Sequence, residues 1–237
     1  MSKHLKRLPA PTTWKLPRKA SRFVTKPLPG KHKLWEMLPL TLLIRDYLHY
    51  CDNAREAKKI VCSGDVKIDG RVVREVKQGV GLMDVVSFEK IGEHYRILLD
   101  RNGKLVPVRI TAEEAKWKLV RIENKTTQKK GITQLNLHDG RNILVEKPNE
   151  YKTWDTLKIE IPSQKIMNKF GFEIGNVCYF IGGQHVGEIG TIAGQEVVSA
   201  SRPNVVYLKE GFSTIKEKVF VVGIKVPEIK LPEVRAV

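Results

Sequence analysis

Cysteine is scarce in this chain of 237 residues, and its three copies, Cys51, Cys62 and Cys178, stand far apart with no Cys-x-x-Cys pair. Such spacing supports neither a disulfide framework nor a zinc site, so they read as small buried hydrophobes. No apolar run approaches the roughly 20 residues of a membrane-spanning helix, and the N-terminus lacks the apolar centre of a signal peptide. The chain therefore reads as soluble and cytoplasmic, with no membrane partner. Phosphate loops of the Gly-x-x-x-x-Gly-Lys-Ser/Thr kind, His-x-x-x-His pairs and Gly-x-Ser-x-Gly elbows are all missing. The histidines at 4, 32, 49, 94, 138 and 185 are isolated in sequence, which suits contact or surface residues better than catalytic bases. No catalytic residue, metal site, cofactor or small-molecule substrate is expected.

Acidic residues are the second shortage. Lys+Arg number 42 against 26 Asp+Glu, giving a formal charge of +16 and a pI of about 9.8. That excess goes beyond what solubility needs and argues for a polyanionic partner, nucleic acid first. From Met1 to Trp35 Asp and Glu are absent, while cations recur and Pro9, Pro11, Pro17, Pro27 and Pro29 interrupt the chain. So little periodic apolar pattern cannot offset the entropy of ordering, so this arm is expected to be mobile alone and ordered by RNA. Its cations are interleaved with large apolar groups, a mixture that suits phosphate contact plus base packing. Lys6, Arg7, Trp14, Lys15, Arg18, Lys19, Arg22 and His32 are its candidate RNA contacts.

The stretch from Leu40 to Arg74 carries the clearest pattern. Leu40, Leu43, Ile44, Tyr47, Leu48 and Cys51 recur at helical spacing and leave Arg45 and His49 outside. Asn53 and Glu56 form a capping-box-like start for a helix over Ala54 to Val61, with Ala54, Ala57, Ile60 and Val61 inward. Arg55, Lys58 and Lys59 then share one face that can follow a phosphate backbone. Gly64 ends the helix, and Val66 to Val73 reads as a hairpin about an Asp69-Gly70 turn, with Lys67 and Arg71 on its strands. The helix–Gly–hairpin order, Arg55-Glu56-Ala57 and Gly64-Asp65-Val66-Lys67-Ile68-Asp69-Gly70 together resemble the small alpha-L RNA-binding domain. Solvated surface helices are the bland alternative.

Beyond Val85 the pattern turns to strands: Val85–Phe88, Tyr95–Leu99, Leu105–Ile110, Trp117–Glu123, Thr133–Leu137, Asn142–Val145 and Leu157–Ile161. Thr111 and Glu114 start a short helix between them. The loop Lys125 to Gly131, with Lys129 and Lys130, is a second basic contact or a plain solvated loop. From Gly175 to Ser199, glycines spaced around Val186, Ile189 and Ile192 resemble a KOW motif within an SH3-like β-barrel. Gly183, His185 and Gly187 are its candidate RNA contacts. Asn204–Leu208, Phe212–Ile215 and Val219–Val222 supply further strands.

The opening His4-Leu5-Lys6-Arg7-Leu8-x-Ala10-Pro11, with Trp14, Arg18-Lys19, Pro27-x-Pro29-Gly30 and His32, resembles the archaeal and eukaryotic small-subunit ribosomal protein "S-four-e" family. The likeness continues through Gly81-Leu82-Met83-Asp84-Val85-Val86 to the C-terminus. It implies an α+β chain of modules: a basic arm (1–37), an alpha-L domain (38–90), a mainly β central domain (91–170), a KOW-containing barrel (171–226) and a tail (227–237). An end soon after the last strand looks more archaeal than eukaryotic. The resemblance also implies binding to small-subunit ribosomal RNA beside neighbouring ribosomal proteins, with a structural role in subunit assembly and translation. A transcription or translation regulator acting through the KOW-like module is the alternative. Pseudouridine synthases share the alpha-L module, but Asp139-Gly140-Arg141 lacks their Gly-Arg-Leu-Asp order and reads as a hairpin turn.

Overall fold

The computed structural model describes residues 4–128, 131–198 and 202–231. Its β elements are antiparallel throughout, and three five-stranded sheets dominate. Within the arm, β1 (Leu5–Lys6) pairs with β2 (Phe23–Val24), and the loop between them folds inward rather than outward. Trp14 is 1% exposed and its indole Nε1–H donates to Met37 O at 2.7 Å. Arg7 is buried and donates to Pro17 O at 2.6 Å and Ser21 Oγ at 2.7 Å. Arg18 donates to the carbonyls of Ala10 (2.5 Å) and Pro11 (2.7 Å). An arm whose prolines confine its ladder to the short β1–β2 pair satisfies further carbonyls with its own arginines.

β3 (Met37–Pro39) precedes α1 (Leu40–Leu42), which runs on as a wider π turn over Leu43–Tyr47, so that Leu48 N–H donates to Leu43 O. The helix expected to reach Cys51 stops here. His49 takes a φ of +54°, and Tyr50 and Cys51 lie beyond the helical winding. α2 (Ala54–Cys62) has the expected capping box between Asn53 and Glu56 and buries Ala57 and Val61, whereas Ala54 is exposed. β4 (Val66–Ile68) and β5 (Arg71–Val72) form the hairpin, with φ of +49° at Asp69 and +72° at Gly70, as a type I′ turn requires. β6 (Gly79–Gly81) pairs with β3. β7 (Val85–Phe88), β8 (Glu93–Leu99) and β9 (Leu105–Ile110) extend the hairpin into a sheet ordered β5-β4-β7-β8-β9. This sheet crosses residue 90 without a break, so the hairpin module and the first strands after it are one unit.

The second sheet, ordered β12-β11-β10-β13-β14, comprises β10 (Trp117–Thr127), β11 (Thr133–Leu137), β12 (Asn142–Val145), β13 (Thr156–Glu160) and β14 (Ile166–Phe170). The third, β18-β17-β16-β15-β19, comprises β15 (Val177–Phe180), β16 (Ile189–Glu196), β17 (Val205–Leu208), β18 (Ser213–Ile215) and β19 (Val219–Gly223). Apolar burial joins the arm, the two-helix region, the first sheet and the third sheet into one core that runs from Ala10 to Ile229. The second sheet keeps a separate cluster, made of Val120, Ile122, Leu135, Leu137, Leu157 and Ile159, and Val85, Ile110 and Ile161 form a smaller one. Polar ties cross between sheets as well. Tyr179 OH donates to Leu99 O at 2.7 Å, and Arg121 donates to Glu217 O and Val219 O at 2.9 and 3.0 Å.

Candidate RNA interface

Phosphate recognition needs cations that the protein has not already paired. On α2, Arg55, Lys58 and Lys59 are exposed and share a face, held there because Ala57 and Val61 take the opposite one into the core. Arg71 is exposed on the hairpin, and Lys6, Lys15, Lys19 and Arg22 are exposed on the arm. None of these eight has an ion-pair partner among the described residues. Lys15 N–H also donates to Tyr47 OH at 2.7 Å, which fixes the arm beside the helical region.

Other candidates have different work. Arg7, Trp14 and Arg18 are engaged inside the arm, as described above, because desolvated guanidinium and indole N–H groups need fixed acceptors. His32 is buried, with Nε2 2.9 Å from Asp84 Oδ2. Arg45 pairs with Asp46 at 2.8 Å and Lys67 with Glu89, so each carries a neutralising partner. Gly187 is buried, and a Cβ there would stand 2.7 Å from the Asp100 backbone, so its close approach is to the protein itself. Gly183 is exposed and His185 is half-buried. Lys129 and Lys130 lie outside the described residues. Cys62 is exposed, unlike Cys51 and Cys178.

Sequence reading missed a buried ionic cluster. Lys118, from β10, is fully buried with Nζ 2.7 Å from Asp84 Oδ1, 2.7 Å from Asp139 Oδ2 and 3.2 Å from Asp69 Oδ2. Arg141 pairs with Asp69 and Asp139, and Lys31 Nζ lies 3.1 Å from Asp69. The three carboxylates are close enough to hold a cation, and the Lys118 ammonium already occupies that position, donating to Asp69 and Asp84 and paired by charge with Asp139. Burial alone would lower the Lys118 pKa, but the charges of Asp84, Asp69 and Asp139 outweigh it and push the pKa up. Burial would likewise raise Asp84, yet Lys118 and His32 hold it well below the usual carboxylate range. His32 rises from its ordinary value because the Asp84 charge and hydrogen bond overcome its desolvation. No local motif marks this cluster, since its members come from five separate stretches. The one available signal was Asp139-Gly140-Arg141, an Asp and Arg at a turn in a strand-rich region.

Unpaired cations thus lie exposed on an arm, a helix face and a hairpin, beside carboxylates neutralised from within, a charge distribution suited to a polyanionic partner. Residues 91–166 match the ribosomal family S4e, and residues 1–35 match the RS4NT (NUC023) domain. The small ribosomal subunit protein eS4 of Methanocaldococcus jannaschii is 49% identical, over 97% of each chain. Its counterpart in Methanothermobacter thermautotrophicus is 44% identical over 97% of this chain and 96% of that one. A crystal structure of the 30S ribosomal protein S4e from Thermoplasma acidophilum superposes with a TM-score of 0.70 at 38% identity, covering 79% of this chain and 95% of that one. The chain belongs to the S4e family of ribosomal proteins.

Proposed function

We infer that this protein is a structural constituent of the small subunit of the cytoplasmic ribosome, where it binds ribosomal RNA beside other subunit proteins and has no chemistry of its own. The observation that carries the reading is the set of unpaired cations, Lys6, Lys15, Lys19, Arg22, Arg55, Lys58, Lys59 and Arg71, on a chain whose full-length relatives are small-subunit proteins. Charge left uncompensated by the fold is available to release counterions from phosphate, which drives RNA association. The α2 face contacts phosphates, and Arg71 on the type I′ hairpin extends the contact. The third sheet is read as an SH3-like barrel with a KOW motif around Gly187. A free regulator is the poorer fit, because cations spread over several elements suit a protein embedded in folded RNA. Sedimentation of native cell extract tests this: the protein should travel with small subunits in moderate salt. A pool free of RNA would overturn it.

A further inference from the structure

Where β15 ends, the chain turns through Gly182 to Gly187 before β16, and the turn between β17 and β18 brings Phe212 against it. Phe180 and Phe212 meet at 5.4 Å between centroids in an edge-on arrangement, and His185 stacks on Phe212 at 3.9 Å with 20° between the planes. Glu188 fixes the imidazole through Nδ1 at 3.0 Å and is itself 3.7 Å from Arg101, so its charge is shared. These rings border a cavity of about 120 Å³ whose rim adds Gly182, Gln184, Ser213 and Thr214. The Gln184 amide and the Ser213 and Thr214 hydroxyls make no hydrogen bond to other described residues. Lys218 lies beside the opening: its Nζ is 3.9 Å from where a Cβ on Gly183 would stand, and no described carboxylate pairs with it.

We propose that this cavity is a binding slot for one unstacked RNA base, with Lys218 meeting the adjoining phosphate. The volume is well below the roughly 300 to 1,000 Å³ of small-molecule sites, so it admits a single flat ring rather than a whole ligand. An aromatic stack supplies the face on which such a ring lies, while unpaired amide and hydroxyl groups meet the donors and acceptors on its edge. An apolar protein side chain would leave those rim groups unsatisfied, at a cost that a base avoids. The proposal rests on the RNA-binding reading above and adds a second mode to it, base capture beside phosphate contact.

The test titrates the full chain with a short single-stranded oligoadenylate and with a blunt RNA duplex of equal length, across a range of salt. His185→Ala should weaken single-strand binding roughly 5- to 150-fold, the equivalent of about 1 to 3 kcal/mol per stacked base. Duplex affinity and both salt slopes should be unchanged, since no phosphate contact is lost, and His185→Phe should restore binding. Lys218→Gln, which leaves the stack intact, should lower the single-strand salt slope by about 0.7. Arg55, Lys58 and Lys59 changed together to Ala should weaken both RNAs. Wild-type single-strand affinity in His185→Ala, an equal loss on duplex, or an unchanged slope in Lys218→Gln overturns the slot. If the triple variant still loses affinity, only the slot falls; if it too binds as wild type, the RNA reading falls with it.

Discussion

At the scale of single residues, Lys118 decides the most. Removing one member of a buried ionic set costs about 3 to 5 kcal/mol, because the remaining charges stay buried without compensation. Lys118→Met should therefore melt far below wild type and regain stability as pH falls and Asp84 and Asp139, no longer held down by the ammonium, take up protons. Equal melting of mutant and wild type at neutral pH would remove Lys118 from its central role. His138 sets a second pH dependence with the opposite logic to His32. Arg121 N–H donates to its Nδ1 at 3.2 Å, while Nε2 lies 3.4 Å from Leu82 O, an arrangement that fits the neutral ring. Burial, with Lys118, His32 and Arg121 adding to it against the pull of Asp139, lowers its pKa to about 3. A histidine with a depressed folded pKa destabilises the fold as pH drops below its unfolded value of about 6.5 and on towards 3. His32, whose folded pKa is raised, contributes stability that is full below about 6.5 and is lost as pH rises through the folded value. Melting curves between pH 4 and 9 should show both limbs, roughly separated at neutral pH. His138→Gln should flatten the acid limb and His32→Gln the alkaline one; unchanged limbs in either variant would reject that residue's assignment.

Elements were legible in proportion to how local their causes are. The capping box at Asn53, the Asp69-Gly70 turn and the strands from Val85 to Leu137 depend on neighbours within a few residues, and sequence showed them. Periodicity at Leu40 to Cys51 picked out Leu40, Leu43, Ile44 and Cys51, which are buried, but missed the buried Thr41 and Leu42 and the way the chain winds, so the π turn at Leu43–Tyr47 and the reversal at His49 were hidden. The aromatic slot and the Lys118 cluster were invisible because Phe180, His185 and Phe212, or Asp69, Lys118 and Asp139, meet only through tertiary packing. Two elements carry predictions. Replacing Arg55, Lys58 and Lys59 by Ala should leave melting within about 0.5 kcal/mol of wild type, since the α2 cations are exposed, yet lower the salt slope of RNA binding by about 0.7 to 0.9 per lost contact. Undiminished affinity and slope would show that this face does not meet RNA. The turn before β16 has Gly187 at a φ of +81° with the Asp100 and Arg101 backbone 2.7 to 2.8 Å from a would-be Cβ. Gly187→Val should cost at least about 1 to 3 kcal/mol, strain and clash acting together. A wild-type melting midpoint would mean that this turn relaxes freely.

For the molecule as a whole, the arm departs most from its sequence pattern. Counted by charge and proline it cannot bury enough surface, but counted by contact it does not stand alone. Trp14 and Ala10 enter the common core, with Leu5, Leu16 and Val24 packed against it, and Lys104, just before β9, donates to Thr12 O. Repulsion among the cations is relieved from within, because Arg7 and Arg18 face backbone carbonyls rather than one another. The exposed Lys6, Lys15, Lys19 and Arg22 are thereby presented on a folded support, which lowers the ordering cost of RNA binding compared with a mobile tail. Trp14→Ala should lose about 3 to 5 kcal/mol, the usual cost of removing a buried tryptophan. Deleting residues 1 to 22 should lower the melting temperature of everything that remains, since the shared core loses one wall. Limited proteolysis of the free protein should spare residues 4 to 33. First cleavage inside that stretch, together with a truncated protein that melts as wild type, would return the arm to the state its composition suggests, a segment that only RNA can order.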